Sequence, residues 1–205
     1  DMAHNKKDKK IILFIDAAYI DFAGKSDESR ALFKQFGNLP QNLLVIVGFS
    51  MSKSYTLYGM RSGAMIAISQ NKKVIEEFKM VSMYSNRGVW SNGTKPAMVV
   101  LSQIFDSPNL LAKVDGERAI LRKLLFERAD AFIQNAKDVN LDICPYKAGF
   151  FITIPCENAE KTAMALQNDL IFTVPIGRGI RFAVSSVPKG KCAEAPRKIA
   201  MAIQK

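Results

Sequence analysis

Two nearly uninterrupted apolar runs, IILFID (Ile11 to Asp16) and LLVIVGF (Leu43 to Phe49), constrain this chain more than any other feature. Apolar runs of this length without a polar alternation read as strands buried on both faces, the kind found in the sheets of α/β proteins. Between them SRALFKQF, Ser29 to Phe36, predicts a helical stretch stopped by Gly37 and Pro40. AMIAIS, Ala64 to Ser69, predicts a third strand. The segment Ser50 to Gly63 that leads into it carries no helical period, so these last two strands are expected to be antiparallel.

Further along, amphipathic helices are predicted over Lys72 to Met83 and Lys95 to Phe105. Ser107, Pro108 and Asn109 interrupt the pattern. A long helix to about Lys137 follows, with apolar recurrences at Leu110, Leu111, Val114, Ile120, Leu121, Leu124, Leu125 and Ala129, and it is the expected domain joint. The remainder reads as strand (Phe150 to Pro155), helix (Ala159 to Leu170), strand (Ile171 to Val174), strand (Arg181 to Ser185) and helix (Ala193 to Ile203), a small α/β domain.

Inventory narrows the chemistry. The single histidine, His4, rules out histidine-based triads and multi-histidine metal centres, so no metal site is expected. Three widely spaced cysteines, Cys144, Cys156 and Cys192, make neither a disulfide framework nor a zinc pattern and point to a reducing cytoplasm. No apolar run is long enough to cross a bilayer. The net charge of +10 raises nucleic acid as a partner. Lys6, Lys7, Lys9 and Lys10, and later Lys189, Lys191, Arg197, Lys198 and Lys205, carry much of that charge without interleaved aromatics, so a solvated basic face is the reading, with no nucleic-acid or membrane partner. The opening DMAHNKKDKK has no signal-peptide architecture and reads as the middle of a longer protein.

Chemistry must therefore rest on Lys, Tyr, Asp, Arg or Ser. Lys53 lies just past the second strand in a loop of small hydroxyl residues, with Arg61 eight residues on. Ligands of open α/β sheets bind at such strand ends. Serine hydroxyls and a guanidinium are what a dianionic phosphate requires. At the end of the first strand stands Asp16, three residues before Tyr19; a carboxylate ending a buried strand requires a partner.

Taken in order, DAAY (16 to 19), the SxSKxxxLxGxRxG pattern from Ser50 to Gly63, MYSN (83 to 86), AGFF (148 to 151) and GIRFAVS (179 to 185) resemble the aspartate and aromatic aminotransferases of fold-type I along essentially the whole chain. The resemblance implies the carboxy-terminal part of a pyridoxal-phosphate-binding large domain over 1–108, with a mostly parallel sheet and one antiparallel strand. It places a connecting helix and small domain over 109–205. Transamination between an amino acid and a 2-oxo acid is the implied activity. Lys53 would hold pyridoxal 5'-phosphate as a Schiff base and carry the proton; Asp16 would pair with the pyridine nitrogen, Tyr19 with the phenolic oxygen, and Ser50 and Arg61 with the phosphate.

Arg181 would clamp the substrate carboxylate, with Arg178 as the alternative. A homodimer is implied, and a fragment inactive alone. Where aspartate aminotransferases keep an arginine for a second substrate carboxylate, this chain has Val81, which shifts the expected donors toward aromatic or apolar amino acids. Other enzymes of the fold, β-lyases or amino-acid decarboxylases, share these residue roles, and a non-catalytic truncated domain is the third reading.

Overall fold

The computed structural model describes residues 1–204; Lys205, counted above in the basic face, lies outside the described residues. The chain divides into two compact units, 1–118 and 119–205. That division falls inside the long helix α6, Pro108–Asp138, whose start the sequence suggested as the joint.

The first unit is built on a three-stranded sheet. Strand β1, Ile11–Asp16, runs parallel to β2, Leu43–Ser50, and β2 pairs antiparallel with β3, Gly63–Ile68. The antiparallel pairing expected of the second and third strands is observed, and the pair before it is parallel. Val45 and Val47 of β2 are buried on one face with Ala17, and Ile15, Ile20, Phe33, Phe36 and Leu39 pack against them. Phe33 and Phe36 come from a 3-10 turn, Ala31–Phe36, that continues a short helix α2, Ser26–Arg30, so the predicted helical stretch forms in two pieces.

Burial of β1 differs from expectation. Ile12 and Phe14 are 66% and 58% exposed, so the face of β1 that carries them is uncovered, and β1 pairs with β2 alone among the described residues. Asp16 is exposed too, so burial does not force a partner on its carboxylate.

Gly63 opens β3 opposite Ser50, and a Cβ there would lie 2.4 Å from the Phe49 carbonyl oxygen. Only glycine lets the strands close up at this point. Beyond β3, α4 spans Lys72–Val89 with Asn71 as its cap, its carboxamide oxygen accepting from the Lys73 N–H. It runs past the predicted end and takes MYSN into its last turns. Helix α5, Lys95–Asp106, has proline in its first turn, where a missing N–H costs nothing.

In the second unit β4, Phe151–Pro155, and β5, Val174–Pro175, flank β6, Gly179–Ala183, all antiparallel. Strand β5 is shorter than predicted and shifted to later residues. Helices α7, Ala159–Gln167, and α8, Lys189–Ile203, pack together. Ile152, Ile154, Leu166, Ile180, Val184 and Ile199 form a fully buried core, and the Phe132 ring of α6 lies 4.8 Å from that of Phe182. No helix among the described residues is long and apolar enough to cross a membrane. All three cysteines are free.

Candidate functional site

The carboxyl ends of β1 and β2 lie side by side, with Asp16 opposite Gly48 in the parallel register. Asp16 is the last residue of β1 and Ser50 the last of β2, so both sit on the edge where α/β sheets bind ligands. The Asp16 Oδ1 accepts from the Ala18 N–H at 2.9 Å, which turns the chain toward Tyr19. A 3-10 turn, Ile20–Phe22, follows and buries Asp21 and Phe22.

Ser50 caps a four-residue helix, α3, Met51–Ser54, by accepting from the Ser52 N–H at 3.2 Å. Met51, 1% exposed, is the anchor of this loop. Its N–H donates to the Ser62 carbonyl, and its own carbonyl accepts from Tyr55 and Leu57. The segment expected to be a polar loop is therefore two helical turns, α3 and a 3-10 turn at Tyr58–Met60, each too short to show a period.

Lys53, half-buried, projects between two aromatic rings. Its Nζ lies 5.4 Å from the centre of Tyr19 and 5.0 Å from that of Tyr58. Both distances are within the range of cation–π attraction. The Arg61 guanidinium carbon is 5.2 Å from the same centre, and Arg61 Nη1 donates to the Tyr58 carbonyl at 2.9 Å. Lys53, Tyr19, Tyr58 and Arg61 are thus one linked set of contacts on the sheet edge that carries Asp16 and Ser50.

The backbone of this loop is strained. Thr56 and Arg61 have φ of 53° and 48°, a left-handed conformation that costs a side-chain-bearing residue roughly 1 to 3 kcal/mol. Such conformations persist where surrounding contacts over-determine them.

Arg181 belongs to the second unit. It is the third residue of β6, opposite Thr153 and Val174, rather than the opening residue the sequence suggested. The reason is Gly179, whose missing Cβ, 2.8 Å from the Ile154 carbonyl oxygen if present, lets pairing start two residues earlier. The Arg181 guanidinium stacks 4.3 Å from the Phe151 ring, and its Nε has no hydrogen-bond partner among the described residues. The Arg178 side chain is exposed.

Three residues at the first site escaped sequence reading. Tyr58 occupies an unspecified position of the SxSKxxxLxGxRxG pattern. Asp21 and Arg118 form a buried ion pair, Arg118 Nη2 to Asp21 Oδ2 at 3.6 Å, and Arg30 also pairs with Asp21. Arg118 falls four residues after Val114 and seven after Leu111, on the apolar stripe of α6, but Arg122 and Arg128 interrupt the same stripe, so the pattern does not single it out.

The profile of the family described as aminotransferase class I and II matches residues 1–199. The chain belongs to that family. Among solved structures, an aminotransferase from Anaerococcus prevotii is 41% identical and superposes with a TM-score of 0.93 over 100% of this chain and 50% of its own. An aromatic-amino-acid aminotransferase from Burkholderia pseudomallei, covalently bound to pyridoxal phosphate, is 22% identical with a TM-score of 0.73, covering 98% of this chain and 50% of its own, which shows the fold. A curated relative, the aspartate aminotransferase of Pseudomonas aeruginosa, is 28% identical over 132 residues, 62% of this chain and 32% of that protein. The family fold is therefore present over the full chain, which spans about half the length of these solved aminotransferases and overlaps about a third of the curated one.

Proposed function

We propose that this chain is the lysine-bearing half of a pyridoxal-5'-phosphate-dependent aminotransferase that moves an amino group between an amino acid and a 2-oxo acid. The observation that carries the reading is the placement of Lys53 Nζ between Tyr19 and Tyr58, on the sheet edge that ends in Asp16 and Ser50. The donor set suits this cofactor: an amine for its aldehyde, a carboxylate for its ring nitrogen, a phenol for its ring oxygen, and a hydroxyl and guanidinium for its phosphate.

When bound, pyridoxal phosphate supplies an electron sink that stabilises a carbanion at the substrate α-carbon. Each residue then has a distinct task. Lys53 would hold the cofactor through its aldehyde and, with its amine free, would take the proton from the substrate α-carbon and deliver it to the carbon that carried the aldehyde. Asp16, exposed and free to meet a cation, holds the ring nitrogen in its protonated form. Tyr19 donates to the phenolic oxygen, and Ser50 with Arg61 anchors the phosphate.

Arg181 clamps the substrate carboxylate with a guanidinium held by stacking on the Phe151 ring. Val81 stands where dicarboxylate-specific relatives keep an arginine, which favours aromatic or apolar amino donors. Arg87, the nearest cation after MYSN, is occupied by Ser91, whose hydroxyl accepts from Nη1 at 2.7 Å.

We assign residues 1–108 to the cofactor-binding large domain and 109–205 to the connecting helix and small domain, in a cytoplasmic homodimer. The half-length coverage supports activity only in a longer protein, with this chain inactive alone. In that longer protein, Lys53→Ala should abolish conversion of the cofactor to its amino form by an amino-acid donor. Retained transamination would remove Lys53 from its role. Release of ammonia or carbon dioxide in place of a 2-oxo acid would instead make the enzyme a lyase or a decarboxylase.

A further inference from the structure

Lys53 lies in the short helix α3 and Tyr19 in the turn after β1, and neither segment belongs to the regular ladder of the sheet. Something must set the two against each other. Arg118, 7% exposed, touches both. Its Nε donates to the carbonyl of Ser54 at 2.8 Å, and its guanidinium carbon lies 4.3 Å from the centre of the Tyr55 ring; these are the two residues directly after Lys53. Its Nη2 approaches Asp21, two residues after Tyr19 and itself only 4% exposed.

Ser54 ends α3, so its carbonyl is one of those a helix terminus leaves without an internal partner, and the arginine supplies it. Nη1 reaches Asp115 at 3.1 Å, which fixes the fork on its own helix.

We propose that Arg118 is a positioning residue that sets Lys53 against Tyr19, by fastening the loop that carries the lysine to the loop that carries Asp16 and Tyr19. Resting on the aminotransferase reading above, it adds a determinant that never touches the cofactor. A guanidinium is needed for this because one planar group must donate to the Ser54 carbonyl, stand as an ion-pair partner 3.6 Å from Asp21 and cover the Tyr55 ring with its face. A lysine can satisfy one of those contacts at a time. The left-handed Thr56, which follows Tyr55, is the kind of conformation such a clamp sustains.

The test uses the longer, cofactor-competent protein with Arg118→Lys, Arg118→Met and Tyr55→Leu. Without cofactor, amide exchange over residues 54–58 should accelerate about tenfold or more in Arg118→Lys, the effect of losing one hydrogen bond from a charged donor. Exchange in β2 should stay unchanged. With pyridoxal phosphate added, its dissociation constant should rise by a similar factor. Its visible circular dichroism, which reports how the ring is held against the lysine, should change.

A lowered melting temperature with unchanged local exchange and unchanged dichroism would overturn the proposal and leave Arg118 a purely structural residue. If the Arg118 variants do not fold, Tyr55→Leu carries the same readouts in the same direction, and their constancy overturns it equally. Failure of the enzyme reading looks different: the visible signal would survive Lys53→Ala, whereas the exchange measurement without cofactor would still decide the role of Arg118.

Discussion

Replacing Gly63 with alanine tests how the strand pairing holds the site. A Cβ at this position would stand 2.4 Å from the Phe49 carbonyl oxygen, where ordinary van der Waals contact begins at 3.4 Å, so β2 and β3 must separate by about 1 Å at this point. The obstacle is backbone rather than the tip of a flexible side chain, so strain at the upper end of the overpacking range, about 2 to 3 kcal/mol, is expected. Separation also stretches the bond from the Met51 N–H to the Ser62 carbonyl, now 3.0 Å, worth about 0.5 to 1.5 kcal/mol net. Together these give about 2.5 to 4.5 kcal/mol.

Native-state hydrogen exchange over residues 43–68 reads this directly. Under conditions where closing outpaces intrinsic exchange, so that the opening equilibrium sets the rate, protection should fall by about two to three orders of magnitude, since about 1.4 kcal/mol is tenfold. Peptides of the second unit should be unaffected. A loss under threefold would show that β3 accommodates the methyl without moving, and would refute the claim that glycine is required to close the sheet at the lysine loop.

Two further outcomes are expected. Arg181→Leu should lower kcat/KM for the amino donor about ten- to a hundredfold, mostly through KM, the loss expected for hydrogen bonds to a charged group; an unchanged KM would move the clamp to Arg178 or elsewhere. Burial pushes the Cys192 thiol up, only partly countered by the Arg128 guanidinium. A thiol raised in the folded state contributes stability that is present below its ordinary range and is lost as pH rises through the raised value. The second unit should therefore lose stability in alkali, and Cys192→Ala should flatten that slope; an identical slope in the variant would assign it to another group.

Strand existence was legible because apolar runs such as LLVIVGF leave few alternatives, and the antiparallel turn to β3 followed from a segment without the helical period of a crossover. Burial was not. The apolarity of β1 matches a strand covered on both faces, whereas the described chain, about half the length of its solved relatives, leaves Ile12 and Phe14 open. Other shifts have local causes. The Ile171 N–H donates to the Leu166 carbonyl in the turn after α7, so the chain joins the sheet only at Val174 and β5 is two residues long. Pro196 argues for a helix beginning close before it, yet α8 starts at Lys189 and carries the proline inside.

At the site, the position of Lys53 just past β2 could be read from strand and motif alone. What surrounds it could not: Tyr58 reaches the amine through a left-handed turn, and Arg118 arrives from more than sixty residues away. Contacts that join distant loops leave no local periodicity. The trace in this case is a charge on an apolar helical stripe that Arg122 and Arg128 interrupt as well.

The central claim is that the amine of Lys53 meets the cofactor's aldehyde. Borohydride reduction of the longer protein loaded with pyridoxal phosphate, followed by peptide mapping, tests it most directly. The account predicts a stable pyridoxyl label on the peptide containing Lys53 and its loss in Lys53→Ala. A label on a different lysine, or on none, would contradict it.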